Sequence, residues 1–239
     1  MNLISIEHLG KKYGTHTALQ DVSCELEPGI NGLLGHNGAG KSTLMKLMCD
    51  QIRRDAGKIQ LNGRDILDMG ENYRAMLGYL PQQQGLYESM PAESYLRYIA
   101  TIKGVPSREA GDQIDHLLEL FHLENDRSRK LRTFSGGMRQ RVMLAQTFLG
   151  KPKIIILDEP TVGLDPGEQQ ALCRFLRGYD EDAVILWSTH IVREIEAIAD
   201  RIFVMRRGKI VCNGTVNHIL EETGAGSLSD AYTVLMGGF

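Results

Sequence analysis

Gly35-His36-Asn37-Gly38-Ala39-Gly40-Lys41-Ser42 has the spacing GxxxxGK[ST], the pattern of a loop that cradles phosphate. Its glycines let the backbone curl until successive N–H groups face one anion, and a helix starting at the loop's end adds the positive end of its dipole. Lys41 supplies a point charge for β- and γ-phosphates, and the Ser42 hydroxyl is a ligand for Mg²⁺. A second constellation lies downstream, where the apolar run Ile154-Ile155-Ile156-Leu157 ends in Asp158-Glu159. A strand in a parallel sheet delivers such carboxylates to its carboxyl edge, where nucleotides sit in α/β folds. Side chains alternate along a strand, so the two acids are expected to divide the work. Asp158 holds Mg²⁺, while Glu159 faces the γ-phosphate and orients or deprotonates the attacking water. A glycine-rich turn or a solvated Asp-Glu pair is commonplace alone; together they point to nucleotide hydrolysis. The guanine-specifying pattern NKxD is absent, which favours ATP over GTP.

These residues need a scaffold, and the hydrophobic pattern supplies one. Leu3–Leu9 and Val22–Leu26 alternate as strands, and Ile30–Leu34 is an apolar run directly ahead of the loop. A helix over Ser42–Gln51 follows it, then a strand closed by the turn Asn62-Gly63. From Pro91 to Leu123 apolar residues recur at three and four: Tyr95, Ile99, Ile102, then Ile114, Leu117, Leu118 and Phe121. Residues 84–133 therefore read as a helical insertion. Strand and helix alternate again afterwards: buried strands at Ile154–Leu157 and Val184–Trp187, and helices at Gly167–Leu176 and Val192–Ala199. A hairpin of Ile202–Met205 and Lys209–Cys212 turns at Arg207-Gly208, and Ser229–Met236 reads as a closing helix. The fold class is α/β, with a mostly parallel sheet.

Ser135-Gly136-Gly137-Met138-Arg139-Gln140-Arg141 lies one helix ahead of Asp158-Glu159-Pro160-Thr161. With the phosphate loop, this order closely resembles the ABC-type ATPases, whose signature motif is LSGGQ, from Tyr13 to about Gly214. Phe134 stands for the usual Leu and Met138 for Gln, the SGGM variant of many ABC-2-type exporters. The resemblance implies a P-loop core over 1–83 and 134–214 that carries an N-terminal antiparallel β subdomain, a helical subdomain over 84–133, and a short helical tail over 215–239. It also implies that Thr43 joins the phosphate loop, that Tyr13 stacks on adenine, and that Gln82 senses Mg²⁺ and the attacking water; Gln83 and Gln84 follow and could shift that assignment. Asp165 in Gly163-Leu164-Asp165-Pro166 matches the D-loop aspartate, and His190 after Ser188-Thr189 matches the switch histidine that contacts the γ-phosphate. Ser135, Gly136, Gly137 and Met138 would contact ATP bound to a second ATPase subunit. Ser135 suits an N-cap, and the glycines expose N–H groups to an anion.

ATP and Mg²⁺ are the expected ligands, and an integral membrane permease and a second ATPase subunit the expected partners. Gly85–Met90, with Tyr95 and Leu96 beyond, is the expected dock for the permease. The SGGM signature favours export of a drug, peptide or lantibiotic-like molecule; an importer motor and a soluble ATPase of translation or DNA repair are the alternatives. A net charge of −3 and a pI near 6.2 give no basic footprint for nucleic acid. The longest apolar runs fall far short of the roughly 20 residues of a membrane helix. Four dispersed cysteines, without CxxC, read as reduced thiols. The chain is expected in the cytoplasm, peripheral on the membrane through the permease.

Overall fold

The computed structural model describes residues 2–82 and 85–237. In chain order, β1 (Ile4–Tyr13), β2 (His16–Leu26) and β3 (Gly29–Leu34) lead into α1 (Lys41–Met48). Next come β4 (Ala56–Leu61), β5 (Arg64–Asp65), α2 (Ile66–Met69), α3 (Glu71–Ala75), β6 (Leu77–Leu80), α4 (Ala92–Ile102) and α5 (Ser107–Leu120). The rest is α6 (Gly136–Phe148), β7 (Ile154–Asp158), α7 (Pro166–Arg177), β8 (Val184–Thr189), α8 (Val192–Ile198), β9 (Arg201–Arg206), β10 (Lys209–Gly214), α9 (Val216–Thr223) and α10 (Leu228–Leu235). The chain forms two compact units: residues up to Arg74 with those from Asp180 onward, and Ala75–Tyr179.

The first unit holds an antiparallel sheet in the order β2-β1-β4-β5 and a ladder β10-β9-β3-β8. Ile4, Ile6, Leu9, Leu19, Val22, Ile59 and Leu61 bury the inner face of the antiparallel sheet. Strands β1 and β2 run longer than the alternation predicts. Register shifts after Ile6, Leu9 and Lys11 break the period of two, and His8 and Asp21 take left-handed φ of 49° and 57° at these irregularities. In the ladder β3 pairs in parallel with both β8 and β9, and β9–β10 is the expected hairpin. Strands β3 and β8 are buried almost throughout, which fits their apolar residues Ile30, Leu33, Leu34 and Val184–Trp187.

The second unit pairs β6 with β7 in parallel and packs α4, α5 and α6 together. The four buried residues Ile154–Leu157 each contribute about 1.5–3 kcal/mol by leaving water. Strand β6 has only four residues and contains a glycine, too little to register as a strand in sequence. In α4 and α5 Tyr95, Ile114, Leu117 and Leu118 face the core, as the spacing predicts, and Leu96 joins them. Ile102 departs from that pattern and is 64% exposed.

Candidate nucleotide site

Both units send their chemical residues off the carboxyl edge of a parallel strand pair. In the first unit Leu34 at the end of β3 pairs with Thr189 at the end of β8. Gly35 and His190 therefore leave adjacent strands side by side, about 5 Å apart in the hydrogen-bonding direction. The Thr189 hydroxyl donates to Glu194 at 2.7 Å and accepts from the Ile191 N–H at 3.1 Å, which shapes the turn that leaves His190 exposed.

The loop 35–40 is braced by its own backbone. Lys41 is buried, and its Nζ donates to the carbonyls of Gly35 at 2.6 Å and His36 at 3.2 Å, which holds the ammonium inside the loop. Gly40 must be glycine: its φ is 112°, and a Cβ would lie 2.8 Å from the Ala18 carbonyl. Gly40, the N-cap of α1, carries no side chain to cap the helix, which suits its first turn to an anion. His36, Asn37 and Gly38 are exposed around that opening, Ala39 is buried, and Ser42 and Thr43 are half-buried in the first turn. Tyr13 ends β1 with 47% of its surface exposed, and Lys11 Nζ lies 5.6 Å from its ring centroid.

In the second unit Leu80 pairs with Leu157, so Pro81-Gln82 and Asp158-Glu159 also emerge together. Asp158 is buried at the end of β7. Glu159 diverges from it through a turn, and strand alternation is not the cause: its φ is 51°, a strained left-handed conformation for so long a side chain. Gln82 Nε2 donates to Glu159 Oε2 at 3.3 Å, so the structure joins the two residues read separately from sequence. Gln83 and Gln84 lie outside the described residues.

Ser135 caps α6, its Oγ accepting from the Met138 N–H at 3.2 Å, and that leaves the hydroxyl hydrogen to donate elsewhere. Gly136 is exposed. Gly137 has a second reason to be glycine, since a Cβ there would lie 2.5 Å from the Gly163 carbonyl. Phe134 is buried beneath the Arg129 guanidinium, so the larger side chain is a packing change. Asp165 caps α7 in a full capping box with Glu168.

The family profile "ABC transporter" matches residues 19–162. The chain belongs to the ABC transporter family. A solved ATP-binding subunit of an ABC transporter superposes with a TM-score of 0.90 at 33% identity, covering 98% of this chain and 99% of that one. The ABC-type transporter ATP-binding protein EcsA of Bacillus subtilis is 34% identical over 98% of this chain and 97% of its own length. The daunorubicin resistance ATP-binding protein DrrA3 of Streptomyces coeruleorubidus is 33% identical over 92% of this chain and 71% of its own. The expected ABC ATPase fold and ATP-hydrolysing, nucleotide-binding role therefore hold.

Several side chains around the ABC signature carry no motif of their own and were missed in sequence. Gln140 is buried and donates to the Pro160 carbonyl at 3.3 Å, steadying the turn at Glu159. Arg139 pairs with Glu88 at 2.9 Å, and Arg141 pairs with Glu168 at 3.1 Å. Only their Gln/Arg-rich spacing along α6 hinted at them. The expected docking face is corrected in part. Tyr95 and Leu96 are core residues, whereas Tyr87 is 55% exposed and Met90 half-buried. Tyr87 lies edge-on to exposed Tyr98 at 5.5 Å, one turn ahead of exposed Ile102. All four cysteines stand outside any disulfide. Among the described residues no helix is long and apolar enough to cross a membrane.

Proposed function

We propose that this ATP-hydrolysing subunit powers an exporter, working as one of a pair of ATPase subunits beneath a membrane permease on the cytoplasmic face. The observation that carries the catalytic part is the contact of Gln82 with Glu159, set on a strained backbone at the end of a buried strand. In this reading the loop 35–43 holds the phosphates of ATP, Lys41 neutralises them, and Tyr13 stacks on the adenine. Glu159 takes the proton of the attacking water, and His190 contacts the γ-phosphate.

The donor set also suits Mg²⁺. Ser42 and Asp158 offer hard oxygens, and Gln82, whose amide nitrogen is engaged by Glu159, offers its amide oxygen. Bound there, the cation would neutralise charge on the β- and γ-phosphates. Ser135, Gly136, Gly137 and Met138 serve the ATP of the second subunit, with Asp165 linking the two sites. ATP then acts as a ligand for the closed pair, and hydrolysis releases it. Tyr87, Tyr98 and Ile102 form the exposed apolar face best suited to receive the permease.

The name of DrrA3 supports export of a drug-like molecule, and EcsA leaves the cargo open. Glu159→Gln is the direct test of the ATPase assignment. Turnover should fall by about 10²–10⁴, the worth of a general base, while ATP-dependent dimers accumulate in size-exclusion chromatography. Near-normal turnover would remove Glu159 from the mechanism. Export is tested by co-expression with the membrane permease that co-purifies with it and by ATP-driven accumulation of a fluorescent anthracycline in inverted vesicles. Accumulation in right-side-out vesicles instead would make the assembly an importer.

A further inference from the structure

Arg141 is the most tightly enclosed cation on the signature helix α6, and nothing in the nucleotide chemistry calls for it. Its side chain is 15% exposed and its partner Glu168 17%, so the pair is shielded from the solvent that weakens surface ion pairs. One nitrogen of the guanidinium, Nη1, makes three contacts. It donates to the carbonyls of Phe121 at 3.0 Å and His122 at 3.3 Å, where α5 ends. The same nitrogen lies 3.1 Å from Glu168 Oε1. The other oxygen of Glu168, Oε2, accepts from the backbone N–H of Asp165 at 2.9 Å, and Asp165 Oδ1 accepts from the Glu168 N–H at 2.8 Å.

A capping-box glutamate is ordinarily a solvated side chain that can swing away from its N-cap. Here its second oxygen is fixed by a cation on another helix. The chain α5–Arg141–Glu168–Asp165 thus ties the D-loop aspartate to the signature helix. Two neighbouring contacts run parallel to it along α6: Gly137 against the Gly163 carbonyl, and Gln140 against the Pro160 carbonyl. The segment from Pro160 to Glu168 is docked on α6 at three successive points.

We propose that Arg141 and Glu168 are positioning residues that lock Asp165 to Ser135–Gly137, so that the signature loop and the D-loop move as one body when α5 moves. The inference rests on the reading of both loops as acting across a pair of subunits. Neither residue touches nucleotide; each acts through Asp165. A methionine at 141 would fill similar space but offer neither a donor to the two carbonyls nor a charge to Glu168.

Glu168→Gln gives the clean test. The amide oxygen still accepts from the Asp165 N–H and preserves the cap, but the charge that holds Arg141 is gone. ATP affinity of the single subunit, titrated with a fluorescent ATP analogue, should stay as in the wild type. The maximal ATPase rate should fall about tenfold, and the Hill coefficient for ATP should drop toward one. Arg141→Met, which removes the charge opposite Glu168, should reproduce both changes. A folded Glu168→Gln protein with unchanged rate and Hill coefficient would overturn the proposal, as would a loss confined to KM. The background variant Glu159→Gln separates the two levels of the argument. If it fails to form ATP-dependent dimers, the two-subunit reading falls and this inference with it. If it dimerises, and adding Glu168→Gln leaves dimerisation at the same ATP concentration, only the positioning role is lost.

Discussion

The two compact units build their functional edges from the same device and secure them in different ways. Each uses a parallel strand pair, Leu34 beside Thr189 in one and Leu80 beside Leu157 in the other, to release its residues from one sheet edge. In the first unit the loop is held by main chain. Lys41 binds the Gly35 carbonyl, and the Gly208 N–H donates to the Ala39 carbonyl at 2.8 Å. In the second unit side chains from separate motifs hold one another: Gln82 with Glu159, Gln140 with Pro160, Arg141 with Glu168. A binding loop for a fixed anion gains from rigidity within itself. A part that, as proposed, responds to a partner subunit gains from connections between its pieces.

The contrast predicts different kinds of loss. Lys41→Ala removes the buried charge of the first unit and should weaken ATP affinity by about a hundredfold, roughly 2.7 kcal/mol. Glu159→Gln, in the second unit, should leave affinity within about twofold while lowering turnover by about 10²–10⁴. Titration of both variants with a fluorescent ATP analogue decides it. Equal affinity losses would erase the distinction between a binding unit and a timing unit.

That difference also governs what could be read from the residues alone. The phosphate loop is one contiguous stretch whose glycines answer to local backbone needs, so spacing reveals it. The same holds for Ser135 as a cap and for the hairpin at Arg207-Gly208. The link from Arg141 to Glu168 spans 27 positions in sequence and depends on how two helices pack, which no local period encodes. Resemblance supplied Gln82, Asp165 and His190 by position, but not the contact of Gln82 with Glu159. The bulged strands β1 and β2 were half-legible for a related reason: left-handed residues at His8 and Asp21 shift the alternation on which the reading depends.

A smaller effect separates the two signature glycines. A methyl at Gly137 would meet the Gly163 carbonyl at 2.5 Å, so Gly137→Ala must displace either α6 or the D-loop turn. Overpacking of this kind costs about 1–3 kcal/mol. Gly136 has open space around its Cβ position, and in the first turn of a helix alanine is the better residue by up to about 1 kcal/mol. Chemical denaturation should therefore find Gly137→Ala destabilised and Gly136→Ala as stable as the wild type or more so. Equal destabilisation of the two would mean that Gly137 is conditioned by the anion alone.

The far end of α6 gives the most graded test of side-chain bracing in the second unit. Lys103 Nζ donates to the carbonyls of Gln146 at 3.2 Å, Thr147 at 3.2 Å and Leu149 at 2.8 Å, satisfying the end of the helix opposite Ser135. Burial lowers its pKa from 10.5 to about 8. The unfolded chain keeps this proton up to 10.5 while the folded one releases it near 8, so within that window the unfolded state binds more protons. Raising the pH through the window consequently stabilises the wild type by relieving the cost of a buried charge. Lys103→Met leaves the three carbonyls without their donor, a cost of about 1 kcal/mol near neutral pH. It also abolishes the titration, so the gap between wild type and variant should widen by about 1 kcal/mol on going from roughly pH 7 to roughly pH 9. Urea denaturation of both proteins at the two pH values measures it. A gap that stays constant would mean that Lys103 keeps an ordinary pKa, and that α6 is held at this end by apolar packing without the buried ammonium.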